Sequence, residues 1–163
     1  MDGEELRRRY AAGEKNFAGV NLRGANISGS EPWNDNYVGA DLSGINLSGA
    51  NLYEANLSGA NLSSANLSSA NLTRAHLTLC NLTGTNLSGA NLTSAEMTGV
   101  ELMDTNLSGA DLFRAEVINT SLSGIVNNFT GAKNLSTVNF EGTIVNNLTL
   151  EDGTVIDFCD HDW

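Results

Sequence analysis

From Phe17 onward an apolar side chain returns at every fifth position: Leu22, Ile27, then Leu42, Leu47, Leu52 and on to Leu122. A small residue stands two places earlier in most units, as at Ala25, Ala40, Ala50, Ala55 and Ala60, with Asn or Asp between and Ser or Thr after. Neither regular element accepts this period. Five residues advance an α-helix by about 500°, so the leucines would scatter around its circumference. On a strand, an odd spacing sends successive leucines to opposite faces. They can share one side only if the chain turns a corner in every unit. Four right-angle corners close a square coil of about twenty residues, and such coils stack by backbone pairing at roughly 4.8 Å. The pattern predicts an all-β solenoid with Leu52, Leu62, Leu72, Leu82 and Leu92 in its core. Cys80 stands at an alanine position and is expected to join them.

The ends depart from the period. Residues 2–12 predict a short helix: Asp2 and Glu5 make a pair like a capping box, arginines follow acids, and Gly13 is placed as a stop. Leu6 and Tyr10, one turn apart, give it an apolar edge. A solenoid's first coil exposes its interior and an unpaired edge, so this helix is expected to cap it. After Leu122 the phase breaks and resumes at Phe140, Val145, Leu150 and Val155, which places a bulge near residues 125–137. The expected organisation is a capping helix over 1–14, a regular solenoid over 15–124, and an irregular final coil with a C-terminal cap over 125–163. Phe158 or Trp163 is expected to close that last coil.

The repeated Ala-Asn/Asp-Leu units resemble the pentapeptide-repeat family across about residues 15 to 124. The opening "ELRRRYAAGEKNFAGVNL" is similar to the start of cyanobacterial members. The resemblance implies a right-handed quadrilateral β-helix. It also implies one specific activity, because some relatives protect or inhibit DNA gyrase by imitating duplex DNA with an acidic rod, as dimers joined through their C-termini.

Composition narrows the functions. A formal net charge of −11 opposes direct nucleic-acid binding, which needs a basic surface. No apolar run is long enough to span a bilayer, and "MDGEELRRRY" lacks the apolar middle of a secretory signal, so a cytoplasmic protein is expected. Cys80 and Cys159 form no paired framework, and a disulfide between them is not expected. Cys159, Asp160, His161 and Asp162 are ligand-type residues, but neighbours in sequence seldom converge on one ion, so neither metal nor cofactor is expected. No catalytic residue is assigned either. His76, between Asn56 and Glu96 on an outer wall, is expected to be exposed and solvated.

The stretch "ISGSEPWNDNYVGA" breaks the monotony at residues 27–40. Ile27, Pro32, Tyr37 and Leu42 are five apart, so it is expected to keep the coil's count with no residue inserted. Stacking positions twenty apart then places Trp33, Tyr53 and Phe113 on one face. Ser28, Ser48, Ser68, Ser88 and Ser108 form a hydroxyl ladder on another. At the following position the aromatic face carries Asn34, Glu54, Arg74, Ser94 and Arg114, whereas the other faces often carry glycine. A different turn type is expected at its corners.

Two readings of that face stay open. The aromatics either cover local irregularity or form an interface for a protein of unknown identity, with Trp33, Tyr53, Glu54, Arg74, Phe113 and Arg114 as candidate residues. The expected function is a non-enzymatic scaffold or interaction module. The alternative is a DNA-mimicking regulator of gyrase, against which residues 55–94 hold no Asp or Glu. A monomer is expected, with the irregular C-terminal end left open to dimerisation.

Overall fold

The computed structural model describes residues 1–28, 39–120 and 129–141, together with the backbone of residues 145–149 and 155–158. Helix α1 (Gly3–Ala11) leads into a right-handed quadrilateral β-helix. Each coil crosses four walls, and each wall is a column of single-residue parallel bridges. The first wall runs Asn16, Asn46, Asn66, Asn86, Asn106, and the second Asn21, Asn51, Asn71, Asn91, Asp111, Lys133. The third runs Asn26, Asn56, His76, Glu96, Glu116, Asn139, and the fourth Asp41, Asn61, Asn81, Glu101.

One corner shows why these residues turn. In Asn46-Leu47-Ser48-Gly49-Ala50, the Leu47 carbonyl accepts from Ala50 N at 3.0 Å and the Asn46 Oδ1 accepts from Ser48 N at 3.1 Å. Gly49 takes φ 63°. A positive φ at the third of four turn residues, with none at the second, is the type II sign pattern. The asparagine side chain thus bonds its own corner and leaves its amide nitrogen free for a neighbouring coil. Asn46 Nδ2 donates to Asn16 Oδ1 at 2.9 Å, Asn61 Nδ2 to Asp41 Oδ1 at 3.2 Å, and Asn106 Nδ2 to Asn86 Oδ1 at 3.2 Å.

Inside, the leucines and alanines form one continuous core, in which Leu52, Leu62, Leu72, Leu82 and Leu92 are fully buried. Each such leucine contributes on the order of 1.5–3 kcal/mol. Thr85, Thr105 and Cys80 occupy alanine positions and donate to the carbonyls of Leu62, Leu82 and Leu57. Burial pushes the Cys80 thiol up from its ordinary 9.0 to about 12.

The helix seats on the open edge of the first coil. Leu6 is buried against the core, Tyr10 Oη donates to Ser43 O at 2.6 Å, Arg7 Nη1 to Asn26 O at 3.0 Å, and the Met1 amine to Asn21 O at 3.3 Å. Gly3 makes the close fit possible, because a Cβ there would lie 1.8 Å from Asn26 O. Asp2 caps Glu5 N at 2.8 Å, but the Glu5 carboxylate turns to Arg8, so only half of a capping box forms. Gly13, at φ 96°, follows the helix end.

Two expectations about the count are corrected. Bridges between the first two coils join Asn16 to Asn46, Asn21 to Asn51 and Asn26 to Asn56, a step of thirty residues. Later steps through Asn106 are twenty. Ala40 N donates to Ser28 O, so the chain closes that coil with ten residues in excess. Pro32, Trp33 and Tyr37 lie outside the described residues. At the far end Asp111 pairs with Lys133 and Glu116 with Asn139, steps of 22 and 23 residues. One extra residue is thus taken up across the short 3-10 helix Leu135–Thr137, preceded by Asn134 at φ 61°. The phase resumes at Phe140, which is buried next to Asn139 on the third wall, but Val145 and Val155 do not continue it as parallel rungs. Strands β1 (Val145–Thr149) and β2 (Val155–Phe158) pair antiparallel instead.

Candidate functional site

The corner following the second wall is chemically unlike the other three. Its outward residues are, coil by coil, Arg23, Tyr53, Thr73, Thr93 and Phe113, followed by Gly24, Glu54, Arg74, Ser94 and Arg114. The Arg23 guanidinium lies 4.6 Å from the Tyr53 ring centroid. From the next coil, Arg74 Nη1 reaches Tyr53 Oη and Glu54 Oε1, both at 3.4 Å. At the upper end Arg114 stands 5.1 Å from the Phe113 ring, and its backbone N–H donates to Thr137 Oγ1 at 2.9 Å. Phe113 is 38% exposed.

Tyr53, Glu54, Arg74, Phe113 and Arg114 therefore share one corner, with Tyr53, Glu54 and Arg74 in mutual contact. Trp33 lies outside the described residues, and the place beneath Tyr53 belongs to Arg23. The step of thirty also puts Ala18 beneath Ser48 and Ser28 beneath Ser58, so the hydroxyl ladder begins at Ser48. A sequence signal for Arg23 existed. The units centred on Pro32 and Tyr37 carry Ser30 and Asp35 where the core needs a small apolar residue. Asp35 is a poor tenant of that position.

The backbone gives a second distinction. The expectation of a different turn type here is overturned: Glu54, Arg74, Ser94 and Arg114 take φ of 55°, 57°, 53° and 54°, close to the corner glycines. A side chain in this conformation costs roughly 1–2 kcal/mol, which glycine avoids. The corner after the first wall takes the cheaper option at Gly19, Gly49, Gly89, Gly109 and Gly131, departing at Ser69. From the second coil to the fifth, the corner after the second wall never does. Non-glycine residues take the same conformation on the other corners at Ser64, Ser69, Leu79, Asp104 and Asn119, but those columns also use glycine, whereas this one does not from the second coil to the fifth.

His76 is exposed on the third wall between Asn56 and Glu96, as expected, and it gains a partner there. Its Nδ1 lies 2.6 Å from Glu96 Oε2 one coil above, both side chains being about half exposed. Twenty-residue stacking brings the pair together. Among the described residues no group of three or more His, Cys, Asp or Glu side chains gathers to hold a metal. Cys159, Asp160, His161 and Asp162 lie outside the described residues. No described helix is long and apolar enough to cross a membrane.

Comparison with known proteins agrees with this architecture. A family model of pentapeptide repeats matches residues 40–78 and 70–109. The pentapeptide repeat protein Rfr23 of the cyanobacterium Cyanothece 51142 is similar at 30% identity, covering 87% of this chain and 88% of that one, with a TM-score of 0.57. A pentapeptide repeat protein of the Arabidopsis thaliana thylakoid lumen shares 24% identity over 74% of this chain and 72% of that one, with a TM-score of 0.45. HetL of Nostoc sp. strain PCC 7120, involved in heterocyst differentiation regulation, shares 25% over 96% and 100%, with a TM-score of 0.29. No curated protein sequence matches the chain. With its five-residue period, its four bridged walls and a relative alike over most of both chains, this protein belongs to the pentapeptide-repeat family.

Proposed function

We propose that the protein is a non-catalytic scaffold whose corner after the second wall docks a partner protein. Members of this family are generally structural or interaction modules. The observation carrying the reading is the run of strained, non-glycine corners at Glu54, Arg74, Ser94 and Arg114. The same column gathers Tyr53, Phe113 and arginine, residue types that interfaces favour.

A photo-crosslinking amino acid placed at Phe113, or at Thr83 on the diagonally opposite corner, tests this in cell extract. Adducts confined to position 113 are expected. Equal labelling at both positions would show that the column is not a docking surface.

The gyrase reading has one observation on its side. Glu96 and Glu116 stack on the third wall, with Glu101 and Asp111 on neighbouring walls, in the two upper coils. A DNA mimic needs carboxylates along its length, and the coils below supply few. Inhibition of gyrase supercoiling at stoichiometric protein would nevertheless favour it over the scaffold.

A further inference from the structure

Two guanidinium groups meet at one tyrosine. Arg23 stands below Tyr53, in the first coil, and Arg74 above it, in the third. The Arg23 guanidinium covers the ring at 4.6 Å from its centroid, while Arg74 Nη1 donates to the hydroxyl at 3.4 Å. Both charges thus gather at the second coil, and both side chains are exposed. Among the described residues Arg23 pairs with no carboxylate, and Arg74 pairs only with Glu54, at 3.4 Å. Residues 46–85, the second and third coils, hold no acid but Glu54, in a chain of formal net charge −11. Two cations against that one carboxylate leave the cluster positive. Tyr53 Oη accepts from Arg74, which leaves its own hydrogen for an outside acceptor.

We propose that Arg23, Tyr53 Oη and Arg74 bind the phosphate of a phosphorylated serine or threonine on the docked partner. The proposal rests on the docking reading above and names what this end of the corner recognises. A carboxylate gains little here, because Arg74 already holds one in Glu54 and a second would only replace it. A phosphate monoester carries about −1.5 to −2 charges at neutral pH and three acceptor oxygens. That matches two cations and a hydroxyl arriving from different sides, and guanidinium forks suit its oxygens. Glu54 is then the counter-ion of the empty site, and the phosphate displaces it from Arg74. Its competition keeps the affinity modest, as expected where every charge involved is exposed.

Arginine Nε–Hε signals in NMR spectra of the full chain, titrated with the peptide Gly-Ser-Gly-phosphoserine-Gly-Ser-Gly, test the idea. Saturable shifts at Arg23 and Arg74 that weaken with added salt are expected, with Arg8 and Arg114 unmoved. The peptide with glutamate in place of phosphoserine should produce no comparable shifts. Arg23→Ala and Arg74→Ala should each weaken binding about two- to fivefold, as loss of an exposed ion pair does. Glu54→Gln should tighten it by a similar factor, a gain that a merely structural role for these contacts would not give. Tyr53→Phe, which keeps the ring and loses the donor, should weaken it. Binding of the glutamate peptide as tight as that of phosphoserine overturns the proposal. So do equal shifts at every arginine, or insensitivity to the joint Arg23→Ala and Arg74→Ala change. The two readings fail differently. Crosslinks at position 113 whose yield survives phosphatase treatment of the extract leave the docking corner standing and remove its phosphate. Equal crosslinking at 83 and 113 removes both.

Discussion

Single positions in this fold are judged by two demands, volume inside and φ at the corner. Cys80 meets the first as an enlarged alanine whose Sγ donates to Leu57 O at 2.9 Å. Its folded thiol titrates about 12 and its ordinary value is 9.0, so the unfolded chain loses this proton first. Stability from that group is complete below pH 9.0 and is lost as pH rises toward about 12. Cys80→Ala should therefore resist alkali better than the parent in urea melts across that range. In the folded parent at neutral pH, the thiol should ignore iodoacetamide. Ser69 fails the second demand, at φ 55° in a column otherwise glycine. Ser69→Gly should stabilise the fold by about 0.5–1 kcal/mol, the strain relieved less the added freedom of the unfolded chain. Arg74→Gly should also raise the melting temperature while weakening partner binding. A lower melting temperature would mean that this side chain serves the fold.

Among the elements, α1 shows how little tolerance a cap can have. Gly3→Ala would drive a methyl into Asn26 O, so the helix should lift, helical circular dichroism should fall, and the bared coil edge should promote self-association in size-exclusion chromatography. An unchanged elution profile and spectrum would show that the edge is guarded by something else. The helix was legible because acids, arginines and Gly13 come in order along eleven residues. The coil was legible because leucine every fifth residue admits only one kind of path. The ten-residue excess was not, since two whole units preserve the spacing from Ile27 to Leu42. Only Ser30 and Asp35, unsuited to the interior, betrayed it. That one ambiguity misassigned the bottom of the candidate column, placing Trp33 where Arg23 stands. The turn type was misread for another reason: absence of glycine suggests a different corner, yet Glu54 and Arg74 adopt the same one at a cost. Val145 and Val155 kept the beat of five, but chain direction is invisible to spacing, and they lie in an antiparallel pair.

Across the whole molecule each coil touches only its neighbours, so stability is approximately a sum of coil terms and coil-to-coil contacts. A charge in the middle should split that sum. Leu72→Asp buries an unpaired carboxylate at a fully enclosed site and should abolish cooperative unfolding, while Leu72→Ala should cost about 2–5 kcal/mol. An unaltered melting curve for Leu72→Asp would reverse the assignment of inside and outside. The asparagine stacks make this rod a vector. Each Oδ1 is tied to its own corner, so every ladder amide described, from Asn46 to Asn106, gives its hydrogen toward the N-terminal end. A carboxylate can receive such a hydrogen but cannot pass one on. It can therefore open a stack, as Asp41 does beneath Asn61, and it breaks a stack entered from above. The same chemical change at the two ends of one bond should have unequal effects. Asn16→Asp keeps the acceptor that Asn46 needs, whereas Asn46→Asp sets two acceptors face to face and should cost about 1 kcal/mol more.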